Sequence, residues 1–85
     1  MEKQFTVLNP DGIHARPANA IVETASSFSS RIEIKAGAKT ANAKSMISLL
    51  KLGAKMGDSV TIVAEGEDES EAIAAVGRIV ESSLE

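Results

Sequence analysis

The chain has 85 residues and a formal net charge of −3, and this length predicts a single domain, residues 1–85, with a modest hydrophobic core. It contains no cysteine, tyrosine or tryptophan and only one histidine, so we expect no disulfide, no bound metal or cofactor, and no nucleic-acid partner. Because no apolar run approaches the ~18 residues of a membrane span and the N-terminus lacks a signal-peptide pattern, we expect a cytoplasmic protein that does not insert into membranes.

The first half of the sequence predicts a strand, a helix and a hairpin. Apolar and polar side chains alternate over residues 3–8, as in a half-buried strand, and the turn-forming sequence NPDG follows at 9–12. Apolar residues then recur at helical spacing over 17–28, which predicts an amphipathic helix of about three turns. Alternation resumes over 31–35, and AGAK at 36–39 indicates a hairpin turn into a third strand.

The second half predicts a short helix, a strand and a final helix. Ser45 is a favourable N-cap for the short helix, which Gly53 ends. Residues 60–64 alternate as a strand, and Asp68 with Glu71 three residues later resembles a capping box for the last helix. The resulting order, β-α-β-β-α-β-α, predicts an α+β fold with an antiparallel sheet and helices on one face. Periodicity does not predict the order of the strands in the sheet.

The only histidine lies in the stretch GIHARPA. Pro17 favours the first turn of a helix and therefore places His14 and Arg16 at a helix N-terminus, where unpaired N–H groups and the helix dipole attract anions. Arg16 adds a cation whose guanidinium matches phosphate oxygens. An imidazole is largely neutral near pH 7 and can act as a nucleophile. A phosphoryl group bound to it would lie in this anion site, and its labile P–N bond would allow onward transfer.

Simpler interpretations also account for His14 and Arg16. A lone histidine in a loop is commonly a solvated side chain, and His14 could also cap the helix while Arg16 serves as a surface cation. A metal site has little support because no second histidine or cysteine is present. A Ser-His-Asp catalytic arrangement has little support either, because nothing marks one serine as a nucleophile beside His14.

The sequence as a whole resembles the HPr family, the histidine-containing phosphocarriers of the bacterial phosphoenolpyruvate-dependent sugar phosphotransferase system. GIHARPA is followed by an Ala/Val/Ile-rich helix, then by NAKSM and a short helix ending in LG, and AEGEDE precedes the last helix. The resemblance runs from end to end. It implies an open-faced β-sandwich in which a four-stranded antiparallel sheet carries three helices on one face.

The resemblance also implies roles for individual residues. His14 would accept a phosphoryl group on Nδ1 from phospho-enzyme I and donate it to the IIA domain of a sugar permease. Arg16 would contact the phosphoryl oxygens, and Pro17 would fix the helix start. We therefore expect a monomeric carrier that is a substrate of enzyme I and not itself an enzyme. Many relatives have Asn or Thr in place of Asp11, and a carboxylate pointing inward there would repel the phosphoryl group.

Ser45 is a second candidate site. In many Gram-positive relatives the matching serine is phosphorylated by an ATP-dependent kinase, which suggests a serine kinase/phosphorylase and a catabolite-control transcription factor as partners. A phosphate at a helix N-terminus is favourable, although capping alone also explains the serine. Those relatives often read Ser-Ile-Met-Gly where this chain reads Ser-Met-Ile-Ser, and Ala43 replaces a common leucine. The alternative function is thus a regulatory binding module acting through Ser45, or a carrier of the nitrogen-related branch.

The short helix has more apolar residues than one buried stripe requires. At about 100° per residue, its five large apolar side chains cover an arc of ~220°. We assign Leu49 and Leu52 to the core. The remaining three form a predicted docking patch, which in the family belongs to the surface that enzyme I and IIA domains share: Met46, Ile47 and Leu50.

Overall fold

Four strands and three helices follow one another in the predicted order in the computed structural model, which describes residues 1–82. Within that range no helix combines the length and the apolar character needed to cross a membrane. The elements are β1 (Glu2–Thr6), α1 (Ala15–Ser26), β2 (Arg31–Ala36), β3 (Lys39–Asn42), α2 (Met46–Leu52), β4 (Ser59–Glu65) and α3 (Glu69–Val80).

The four strands form one antiparallel sheet with the spatial order β1-β4-β2-β3. Buried residues stand opposite one another across it: Ile34 of β2 pairs with Ile62 of β4 on one side and with Ala41 of β3 on the other. Because side chains alternate between the faces of a strand, these residues share the face that the three helices cover. The opposite face carries polar pairs such as Gln4 with Thr61. The predicted open-faced β-sandwich is confirmed.

Two predicted element ends lie further along the chain than the observed ones. β1 ends at Thr6 because the next amide, that of Val7, donates to the Asp58 carbonyl (2.9 Å) in the loop before β4 and not to a strand. α1 ends at Ser26, and the amides of Ser27 and Phe28 then bond to carbonyls three residues back, which tightens the last turn.

The start of α3 differs from the predicted capping box. Asp68 is the N-cap residue, but its carboxylate makes no hydrogen bond to its own helix. It instead accepts from the backbone N–H groups of Ser29 (2.9 Å) and Ser30 (3.0 Å) and from both serine hydroxyls. Asp68 therefore ties the start of α3 to the turn between α1 and β2, a contact 38 residues away in sequence.

Replacing Asp68 with asparagine is expected to destabilise the fold at neutral pH. The hydrogen bond from the Ser30 hydroxyl, followed by that from the Ser29 amide, lowers the pKa of Asp68 from 3.8 to about 2. Because the folded-state pKa is the lower one, this stabilisation is present above pH ~4 and is lost as the pH falls toward 2. Thermal unfolding from pH 7 to pH 2 should show a lower melting temperature and a weaker acid dependence in Asp68→Asn.

The exposed neighbour Glu67 supplies the control for this prediction. Glu67→Gln removes the same charge without a contact to the serines, so its unfolding curve should follow that of the unmodified protein. An equal loss of stability in the two variants would mean that charge at this end of the molecule matters and the serine contacts do not.

Candidate functional site

The loop before His14 is anchored on both sides by backbone hydrogen bonds. The amide of Gly12 donates to the Asn9 carbonyl (2.9 Å), which closes the predicted turn. The amide of Ile13 donates to the carbonyl of Ala54 (3.0 Å), in the loop that follows α2, and the Ile13 side chain is buried. The residue that precedes His14 is therefore fixed to a segment 41 residues further along the chain, which the sequence does not reveal.

Gly12 allows this close approach of the two loops. Its φ of +70° lies in the left-handed region, which favours glycine. A Cβ added there would overlap the Ala54 carbonyl oxygen and would lie 2.9 Å from Lys55 Cα. Both the backbone conformation and the space at this position therefore require glycine, and Gly12 belongs to the site because it sets the position of the next two residues.

His14 is the N-cap residue of α1, in an extended conformation with φ −99° and ψ −167°. Its side chain is exposed and does not cap the helix. Nor does the imidazole bond to any other residue within 1–82, so both of its nitrogens face solvent or an incoming partner. His14 therefore occupies the cap position, as one of the simpler interpretations expected, but its side chain does not form a cap hydrogen bond.

The first turn of α1 presents positive charge beside His14. The helix begins at Ala15, and its first intrahelical acceptor, the His14 carbonyl, bonds to the amide of Ala18 (2.8 Å). The amides of Ala15 and Arg16 precede this bond and have no helical partner, while Pro17 has no N–H to satisfy. Arg16 is exposed and Pro17 is buried. This first turn contains no acidic residue, so nothing in it opposes an anion.

Ser45 occupies the predicted N-cap position of α2. Its hydroxyl oxygen accepts from the Ser48 amide (3.3 Å), and its own amide donates to the Asn42 carbonyl (3.0 Å). Gly53, with φ +67°, ends the helix in the left-handed conformation as predicted. Ser45 and the Ala54 segment that contacts the His14 loop lie at opposite ends of this seven-residue helix, which is about 10 Å long at 1.5 Å per residue.

The predicted docking patch is only partly exposed. Leu49 and Leu52 are buried as predicted, and Ile47 and Leu50 leave 67% and 42% of their surfaces accessible. Met46 is half-buried and packs against the core, so its assignment to an exposed patch is wrong. The reason is that α2 is short and its first turn lies against the rest of the core, where a flexible methionine fills the remaining space.

Met56, in the loop after α2, is 60% exposed and is not among the residues that the sequence pattern indicated. Its neighbour Lys55 approaches Gly12, and the next amide, that of Gly57, bonds to the Val7 carbonyl (2.8 Å). Met56 therefore lies on a fixed loop close to the His14 turn. The only signal in the sequence is an apolar side chain inside the turn-forming stretch KMGD.

Comparisons with known proteins agree with this fold. A family model described as "PTS HPr component phosphorylation site" matches residues 1–82. The chain is 44% identical over 78 residues to the phosphocarrier protein HPr of Lysinibacillus sphaericus, covering 92% of this chain and 89% of that protein. It is also 48% identical over 65 residues to a multiphosphoryl transfer protein of Xanthomonas campestris pv. campestris, covering 76% of this chain and 8% of that protein.

Among solved structures, HPr of Thermoanaerobacter tengcongensis superposes with a TM-score of 0.90 at 43% identity, covering 95% of this chain and 91% of that one. The fold and the family match together define a small phosphocarrier domain of the phosphotransferase system. This chain belongs to the HPr phosphocarrier family.

Proposed function

We propose that His14 accepts a phosphoryl group from phospho-enzyme I and passes it to the IIA domain of a sugar permease. The observation that carries the proposal is that the imidazole is exposed and without a hydrogen-bond partner in residues 1–82, while it stands at the start of α1 next to two unpaired amides. A nucleophile must be free to meet the donor, and the transferred group needs a positive environment once it arrives.

The chemistry requires little from the carrier itself. A lone pair on an imidazole nitrogen attacks phosphorus, the bond from phosphorus to the donor breaks, and a P–N bond forms on His14. The phosphoryl oxygens then lie beside the amides of Ala15 and Arg16 and within reach of the guanidinium. Transfer to the next acceptor reverses these steps, because protonated imidazole is a good leaving group. The protein is phosphorylated in the first transfer and returns to its unphosphorylated form in the second. It is thus a substrate of both reactions, which distinguishes a carrier from an enzyme.

Labelling tests this proposal directly. With enzyme I and radiolabelled phosphoenolpyruvate, the unmodified protein should take up one equivalent of label, and His14→Ala should take up none. Phosphohistidine is labile in acid, so acid treatment should release the label. Circular dichroism of His14→Ala should match the unmodified protein, since the exposed side chain makes no contact that the fold requires. Acid-stable label, or label that persists in His14→Ala, would contradict the assignment.

Two exposed apolar side chains favour α2 as the docking surface for enzyme I and IIA domains. Ile47 and Leu50 are three residues apart, which places them on one face of the helix, and both are exposed to solvent. They lie on the helix that leads into the Ala54 segment of the His14 site. A partner that covers these two side chains would contact the helix whose far end is bonded to the His14 loop. Burial of their apolar surface would contribute to binding.

A second candidate function, regulation through phosphorylation of Ser45, is favoured by the geometry of that residue. Its side chain already occupies the cap position, where the first amides of α2 lack helical partners. A phosphate attached there would be stabilised by the same amides and by the helix dipole. It would also place negative charge at the edge of the Ile47–Leu50 surface. We propose this as a control on docking, exerted by a serine kinase/phosphorylase, with a catabolite-control transcription factor as a further partner.

Ser45→Asp is expected to weaken binding to enzyme I by roughly tenfold while it leaves the melting temperature nearly unchanged. Aspartate is a good N-cap, so α2 is retained, but its charge would be desolvated against the partner's surface. Isothermal titration calorimetry and thermal unfolding measure the two effects. Ser70→Asp, on the exposed first turn of α3, adds the same charge elsewhere and should bind normally. Equal affinities of both variants would show that α2 is outside the docking surface.

A further inference from the structure

A groove of about 500 Å³ lies between the edge strand β3 and α2, and no residue of the His14 loop lines it. Residues at the start of β3 form one wall, and residues of α2 form the other. Among the described residues its lining combines two lysines, two hydroxyl-bearing residues and one leucine: Lys39, Thr40, Ser48, Lys51 and Leu52. That lining carries no carboxylate, although the protein as a whole is acidic.

The two lysines come from different elements and converge on the groove. Lys39 shares a strand face with buried Ala41, two residues along β3, so it projects on the helix-covered side of the sheet. Lys51 lies in the last turn of α2, next to buried Leu52. Both lysines are exposed, and no salt bridge pairs either of them with an acidic group in residues 1–82. Their positive charge is therefore available to a ligand.

The groove also offers neutral hydrogen-bond donors. The Ser48 hydroxyl oxygen accepts from the Asn42 amide (2.9 Å), which leaves its hydrogen free to donate. The Ala43 amide donates to the Ile32 carbonyl of β2. In an antiparallel pair, the amides of alternate residues point toward the partner strand and away from it. The amides of Asn42 and Thr40 therefore point away from β2, toward the open edge of the sheet. The Asn42 amide at this edge is satisfied by the Ser48 hydroxyl, whereas the Thr40 amide, two residues earlier, makes no such bond within residues 1–82.

We propose that this groove binds small diphosphate-bearing anions, with Lys39 and Lys51 on the two phosphate groups and the Ser48 hydroxyl and Thr40 amide as further donors. A ligand with two linked phosphates can engage both lysines at once, because each lysine acts as a point charge and the two come from different walls of the groove. An adjoining groove shares Lys39 and Leu52 but includes Asp58, whose carboxylate would repel an anion from that side. The site is independent of the His14 function and shares no residue with it.

Titration of the unmodified, ¹⁵N-labelled protein with inorganic pyrophosphate tests the site at low ionic strength. The amides of Lys39, Thr40 and Ser48 are expected to shift in a saturable way. Pyrophosphate can also bind at the start of α1, but the amides of Ala15 and Arg16 report that event separately. The experiment can therefore show binding at the start of α1 without binding in the groove, or binding in the groove without binding at the start of α1. Absence of saturable shifts at Thr40 and Ser48 would overturn the proposal.

A double variant, Lys39→Gln with Lys51→Gln, should weaken binding measured at Thr40 by roughly fivefold or more, because each exposed cation contributes modestly. Lys3→Gln with Arg78→Gln removes the same charge from β1 and α3 and should leave the affinity within about twofold. Thermal unfolding of both double variants checks that the fold is retained. Equal weakening in the two double variants would show that pyrophosphate responds only to net charge, and an unchanged affinity in the first would exclude the lysines.

Discussion

Replacing Arg16 with alanine is expected to lower the rate of phosphoryl transfer to His14 by roughly 100-fold, the size of effect seen when one donor to a developing negative charge is removed. The guanidinium stands two residues after His14 in the first turn of α1, with no acidic residue in that turn to neutralise it. Its charge acts on the phosphoryl oxygens while the group is being transferred. Affinity for enzyme I should change by about twofold or less, because an exposed cation contributes little to binding.

Single-turnover kinetics with phospho-enzyme I separate these two effects, since the transfer rate at saturating carrier is independent of docking. Arg16→Lys keeps the charge but loses the bidentate geometry, and it should recover part of the lost rate. Arg78→Ala on the exposed surface of α3 is the matched control and should transfer normally. If Arg16→Ala transferred at the normal rate but bound weakly, Arg16 would be a docking residue and not a contact of the phosphoryl group.

Replacing Gly12 with alanine is expected to destabilise the fold by about 3 kcal/mol and to slow phosphoryl transfer in the molecules that remain folded. A left-handed conformation alone costs a non-glycine residue about 1–2 kcal/mol. The added methyl group would also overlap the Ala54 carbonyl, which must then move and weaken its bond from the Ile13 amide. His14 follows Ile13 directly, so that displacement would reach the imidazole.

Gly37→Ala separates the cost of the left-handed conformation from the cost of the overlap with Ala54. Gly37 has a φ of +60° in the hairpin between β2 and β3, but nothing lies within 4 Å of a Cβ added there. It should therefore lose only the conformational part, about 1–2 kcal/mol, and transfer should proceed normally. Urea unfolding gives the two stability changes, and enzyme I labelling gives the rates. Equal losses at the two glycines would mean that the close approach of Gly12 to Ala54 does not contribute.

The sequence alone was sufficient to predict the local features of the site. Pro17 indicates a helix start, and a helix start implies unpaired amides beside His14 and Arg16. Ser45 and Gly53 likewise identify the two ends of α2. These predictions succeeded because capping, proline geometry and side-chain periodicity depend on residues that are close together in the chain. The element order and the fold class followed from the same local signals.

Tertiary structure decided the features that depend on residues far apart in sequence. The strand order β1-β4-β2-β3, the Gly12–Ala54 contact and the attachment of Asp68 to Ser30 all join distant segments. The carboxylate of Asp68 could cap its own helix or reach another turn, and only the position of that turn selects between them. Met46 was misassigned for the same reason, because helical spacing gives the angle of a side chain around its axis but not what packs against the end of a short helix.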